Sequence, residues 1–188
     1  MKKITPIISS IRGFTLIETL VAISILLIAI SGPFYAIQKA ITSSNIARDQ
    51  LIASALSQEA IEQVYSVRDS NYLLNNQGNT FSWLSGLDGT SDGYHYTDCF
   101  AQDCTVDSYP DDTPGLVFAA CPGSCAPLNL STDNIYTQHS GFPATKFTRK
   151  LRLATITGNE VRVVSTVSWS FQGTDYSVIL TDEIYNWL

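Results

Sequence analysis

The chain has 188 residues, a formal net charge of −6 and 45% hydrophobic residues, which is room for one domain and an anchor and little more. From Asp69 to Thr145 it carries nine aspartates and no lysine or arginine. That imbalance repels phosphate backbones and argues against direct nucleic-acid binding by this segment. Neither histidine, His95 nor His139, stands in a metal-ligand spacing, and the sequence has no G-x-S-x-G elbow and no phosphate loop. No catalytic constellation, metal site or cofactor is therefore expected.

Lys2, Lys3 and Arg12 lie in a leader without acids. Arg12-Gly13-Phe14-Thr15-Leu16-Ile17-Glu18 follows, and then an apolar run in which Glu18 is the only charge before Lys39. A carboxylate within a membrane-length apolar helix is costly, about 2.5–3.5 kcal/mol at the helix centre on insertion scales. A cut after Gly13 would supply its partner. The new amine of Phe14 on one chain and Glu18 on a staggered neighbour would neutralise each other.

The run Gly13-Phe14-Thr15-Leu16-Ile17-Glu18 resembles the class III signal of the type IV pilin superfamily, which includes pilins, minor pilins and type II secretion pseudopilins. The resemblance implies that a prepilin peptidase cleaves after Gly13 and methylates the amine of Phe14, and that Glu18 guides subunit docking. It also implies an inner-membrane assembly platform and other pilin or pseudopilin subunits as partners, with membrane lipid around the helix before assembly. The competing reading is an ordinary secretory signal cleaved after Ser31, since Ala29-Ile30-Ser31-Gly32 has the small-residue pattern. Glu18 within the apolar region and Pro33 beside the cut count against it.

In chain order, residues 1–13 form the leader, and residues 14–37 are long enough to span a bilayer. The basic leader keeps the N-terminus cytoplasmic and sends the head outward. Gly32-Pro33 interrupts the span, and a kink or local unwinding is expected there. Residues 38–69 continue as an amphipathic helix, with Ile52, Leu56, Ala60, Val64 and Val67 on the buried face. Lys39, Arg48, Asp49, Glu59 and Glu62 are placed on a wetter face, and Asp69-Ser70-Asn71 is read as the helix end.

Residues 70–146 are rich in turn signals and read as loops with one or two short strands. The segment holds Cys99, Cys104, Cys121 and Cys125, an even set that points to two disulfides in an exported domain. Close spacing favours Cys99–Cys104 with Cys121–Cys125. A zinc site is the alternative, though C-x4-C and C-x3-C depart from the usual knuckle. Asp107, Asp111 and Asp112 read as a solvated acidic loop rather than a calcium site. Trp83, Tyr94, Tyr96 and Tyr109 read as the small core of the stapled segment, with a sugar- or protein-binding surface as the alternative.

Residues 147–188 alternate as an antiparallel meander with tight turns at Gly158-Asn159 and Gln172-Gly173. Phe147, Leu151 and Leu153, then Val161, Val163, Val167, Trp169 and Phe171, mark its apolar face. The basic residues Lys146, Arg149, Lys150 and Arg152 read as a solvated strand face. The expected fold is thus α+β and pilin-like, a long N-terminal helix packed on a C-terminal antiparallel β-meander. The Val-Ser-Trp strand and the ending near Asn186-Trp187 resemble a V-type minor pilin or an I-type pseudopilin. The resemblance implies a structural subunit of a type IV pilus or type II secretion-like filament. A tip adhesin on the same scaffold and a protein released after Ser31 are the alternatives.

Overall fold

The computed structural model describes residues 13–91, 96–108 and 118–186. It falls into two compact units, Met1–Asn45 and Ile46–Leu188. One helix, α1, Leu16–Asn76, contributes to both.

Thr15 starts the helix. Its carbonyl accepts from the amides of Glu18 (3.1 Å) and Thr19 (3.2 Å), and its hydroxyl accepts from the Glu18 amide at 3.3 Å. This is the N-cap arrangement that satisfies an otherwise orphaned donor. In the first unit every residue from Leu16 to Ile41 is exposed. The helix is unbroken across Gly32-Pro33, so the local unwinding expected there is not present. Proline removes one rung of the ladder, while the Ser31 hydroxyl donates to the Ile28 carbonyl at 2.9 Å and the helical geometry carries through.

In the second unit the helix acquires a buried stripe: Asp49, Ala53, Leu56, Ser57, Ala60, Ile61, Val64, Val67, Arg68 and Asn71. Steps of three and four residues keep these on one face. The helix ends at Asn76, about two turns beyond the Asp69-Ser70-Asn71 stop read from the sequence. The polar residues there do not break it because tertiary partners take their side chains. The Asn71 Nδ2 donates to the Ser85 carbonyl at 2.9 Å, and Asn75 both accepts from the Phe81 amide and donates to its carbonyl.

The meander is built from β5 (Ala144–Thr157), β6 (Glu160–Phe171) and β7 (Thr174–Tyr185), all antiparallel. Gln172 and Gly173 both have positive φ, 51° and 77°, as a two-residue hairpin turn of the primed type requires. The loop-rich segment contributes more strands than its turn signals announced. β1 (Cys104–Val106), β2 (Phe118–Ala120), β3 (Pro127–Leu130) and β4 (Tyr136–Thr137) complete a seven-stranded sheet. β1 and β3 both pair with β5, on the side away from β6. β1 and β3 take their pairing from β5, and β2 and β4 from β1 and β3 in turn, so local alternation does not reveal these two- to four-residue strands.

The sheet covers the buried stripe of the helix, and their core has two parts. One gathers Ala60, Ile61, Val64 and Val67 with Leu151, Leu153, Val161, Val163 and Ile184. The other gathers Ala53 and Leu56 with Leu128, Phe147, Val167 and Trp169. Between them each element contributes one polar residue, Ser57 from α1, Arg149 from β5 and Ser165 from β6, all with 0% exposure. A polar belt divides the core.

Among the described residues the Ser57 and Ser165 hydroxyls have no hydrogen-bond partner, and Arg149 makes the hydrogen bonds at this level. Its guanidinium donates to the Leu56 carbonyl at 3.1 Å, to Glu59 at 2.6 Å and to the Val106 carbonyl at 2.5 Å, tying helix, β5 and β1 together. The solvated strand face expected for Lys146, Arg149, Lys150 and Arg152 is therefore wrong for its central member. Arg149 shares the inward parity of Phe147, Leu151 and Leu153, and counting that period would have placed it inside. Asp49, assigned to the wet face, is also buried, at 1% exposure, and pairs with Lys146 at 2.6 Å. Removing one partner of a buried pair costs about 3–5 kcal/mol. Urea unfolding of the detergent-solubilised chain should show Arg149→Ala losing stability of that order, and half-buried Arg152→Ala, whose partner Asp103 is 3.8 Å away, less than about 1 kcal/mol. Equal effects would refute the belt's role.

Candidate functional site

The N-terminal end of α1 is the site to which the sequence points. Gly13 precedes the helix, and a Cβ built on it meets nothing within 4 Å. Among the described residues neither crowding nor an unusual backbone conformation requires glycine there. Phe14 is 79% exposed. Glu18 sits in the first turn, three residues after the cap Thr15, where a negative charge faces the positive end of the helix dipole. Thr15-x-x-Glu18 thus has the spacing of a capping box, of which the Thr15 hydroxyl half is formed, a cap that the sequence reading missed. The signal was present in the threonine.

Beyond Glu18 the helix offers a bilayer-length window of mean hydropathy 2.3, none of it buried. Leu16, Ile17, Leu20, Val21, Ile23 and their successors to Ile41 stand more than half exposed or close to it. Among protein families, the prokaryotic N-terminal methylation motif matches residues 8–32. The chain carries a type IV pilin-like prepilin signal. This signal implies processing by a prepilin peptidase and assembly with other pilin subunits. Searches of curated proteins and of solved structures return no match. The α+β arrangement of one long helix and a C-terminal antiparallel sheet is consistent with the pilin fold. Of the residues behind the prepilin signal, the leader up to Arg12 lies outside the described residues.

Away from the signal, the cysteines form two disulfides, Cys99–Cys104 and Cys121–Cys125. They are neighbours in space. Cys104 opens β1 opposite Ala120, and the Cys121 amide donates to the Asp103 carbonyl at 2.9 Å. Cys99 in turn accepts from the Leu153 amide at 2.9 Å, which fastens the cross-linked loop to β5. Closing so short a loop restricts the unfolded chain by about 2 kcal/mol. The double variant Cys99→Ala/Cys104→Ala should lose that much in reversible denaturation under oxidising conditions. No loss would mean that the packing around Leu153 suffices alone.

Other residues fall differently from expectation. The Asp107 carboxylate accepts from the Thr137 hydroxyl and the Gln138 amide, both at 2.8 Å, and so it pins β4 rather than standing in a solvated loop. Asp111, Asp112, His95, Tyr94 and Tyr109 lie outside the described residues. Tyr96 is 75% exposed, contrary to a core role, whereas Trp83 is partly buried against the larger core cluster.

Tyr65 links helix and sheet through its hydroxyl, which donates to Asp182 on β7 at 3.0 Å. Burial raises its pKa above the ordinary 10.0, and the hydrogen bond and charge of Asp182 add to the rise. Its contribution to stability is whole below about pH 10, where the unfolded tyrosine keeps its proton, and is lost as pH rises through the raised folded value. Tyr65→Phe should therefore flatten the alkaline fall in melting temperature and remove a late-titrating tyrosinate absorbance. An unchanged alkaline limb would mean that Tyr65 is not the group responsible.

Proposed function

We propose that the protein is a structural subunit, a minor pilin or pseudopilin, of a type IV pilus or type II secretion-like filament. The observation that carries the reading is a fully exposed apolar helix whose one charge before Lys39 is Glu18, directly behind a prepilin signal. In water such a surface would aggregate. In lipid, and then among the helices of a filament, it has a solvent that suits it.

On this reading prepilin peptidase cuts after Gly13, residues 1–13 are lost, and the amine of Phe14 is methylated. The leader's positive charge holds the N-terminus in the cytoplasm and the head outside. The inner-membrane assembly platform then moves the subunit from lipid into the filament. The capped first turn presents the Glu18 carboxylate toward the incoming amine of a neighbour's Phe14. A buried charge gains its partner at the step that removes it from lipid headgroups. Gly32-Pro33, where one ladder bond is missing, is the point at which the helix loosens most easily during that transfer.

Two variants test the proposal in the native host. Glu18→Ala should be cleaved normally and yet be depleted from sheared filaments, because cleavage reads the glycine and assembly reads the carboxylate. Filament incorporation equal to wild type would sink the charge-pairing step. Gly13→Leu should accumulate uncut precursor in the membrane, and normal processing of it would contradict the signal itself.

A further inference from the structure

Beside the end of the sheet, within the second unit, lies a cleft of about 330 Å³. Trp83 and Phe100 line it, and both pack on the core with the rest of their surface while remaining partly exposed. Thr155 and Thr157, at the end of β5, also line it. Asp88 and Asp98 are among the other lining residues.

The two aspartates are held facing each other. They form an isolated antiparallel bridge, flanked by hydrogen bonds from the Gly89 amide to the Thr97 carbonyl and from the Cys99 amide to the Leu87 carbonyl. That pattern makes them a non-hydrogen-bonded cross-strand pair, the geometry in which side chains on one face come closest. Each carboxylate is half committed. The Oδ1 of Asp88 accepts from the Thr90 amide at 3.0 Å, and the Oδ1 of Asp98 accepts from the amides of Phe100 and Ala101 at 3.0 and 2.8 Å. The second oxygen of each is left as an acceptor of fixed orientation.

We propose that this cleft binds a neutral pyranose ring at the end of a saccharide, a role separate from filament assembly. The volume sits at the low end for ligand sites and suits one sugar ring better than an isolated ammonium group. Aromatic rings offer a flat apolar surface to the C–H face of a pyranose. Paired carboxylate oxygens and threonine hydroxyls offer acceptors for its hydroxyl groups, and hydrogen bonds to ionised acceptors are the strong kind. Among the described residues no basic side chain lines the cleft, so sugars bearing carboxylate, sulfate or phosphate are repelled.

The test is titration of the full-length, detergent-solubilised chain with methyl glycosides, read by NMR. The chain has three tryptophans, and loss of one indole N–H cross-peak in Trp83→Phe assigns the reporter. The expected result is a saturable shift of the Trp83 peak with at least one neutral methyl pyranoside, and none with the methyl glucuronide. Asp98→Asn keeps an oxygen for the Phe100 and Ala101 amides while removing the charge, and should weaken binding about tenfold. Phe100→Leu, which keeps the apolar packing but loses the ring, should weaken it too. Three results would overturn the proposal: no neutral glycoside moves the Trp83 peak, the glucuronide binds as well as its neutral counterpart, or N-acetylargininamide binds in preference to every sugar. The wild-type panel decides this even if a variant fails to fold.

Discussion

A helix with no charge between Glu18 and Lys39, exposed at every residue from Leu16 to Ile41, sets the constraint on which the rest depends. Burying an apolar side chain is worth about 1.5–3 kcal/mol, and this segment leaves more than a dozen of them uncovered. Among the described residues nothing buries them. On the proposed reading lipid and then other helices cover them, and the prepilin signal lies at the same end. Glu18 is then the feature that makes the segment more than an anchor. On the proposed reading a pure apolar helix would be content in the bilayer, whereas a carboxylate there gains by meeting a neighbour's amine.

The same helix faces a different problem in its second half, where it must pack on a sheet and still end in water. The solution is a stripe of small and medium side chains, Ala53, Ala60 and Val64 among them, with no exposure. Polar groups punctuate that stripe: Asp49 held by Lys146, Ser57 beside the Arg149 belt, and Asn71 held by the loop carbonyls. Such groups add little net stability where they are satisfied and cost much when a partner is lost. They do fix register. Helix and sheet fit at one setting in which Arg149 reaches Leu56, Glu59 and Val106 together.

The fold class was legible in the sequence because it rests on periodicity: an apolar helix, then alternating strands with tight turns. The prepilin signal was legible because six consecutive residues carry it. Between residues 70 and 146 only one or two short strands were legible where four form, since residues such as Pro127–Leu130 become strand by pairing with β5 and show no alternation of their own. Arg149 was missed because charge was taken to mean solvent, although its strand parity placed it with Phe147 and Leu151. The helix end was misplaced for a related reason. Asn71 is a breaker only when its amide has nothing better to bind, and here Ser85 offers a carbonyl at 2.9 Å.

The central claim is that the mature chain begins at Phe14 with Glu18 retained five residues behind the cut. Intact mass and N-terminal sequencing of the protein extracted from the membranes of its own host test this most directly. The account predicts a chain beginning with N-methylated Phe14. A chain beginning at Gly32 would contradict it, for the apolar helix and its carboxylate would then have been discarded as an ordinary secretory signal.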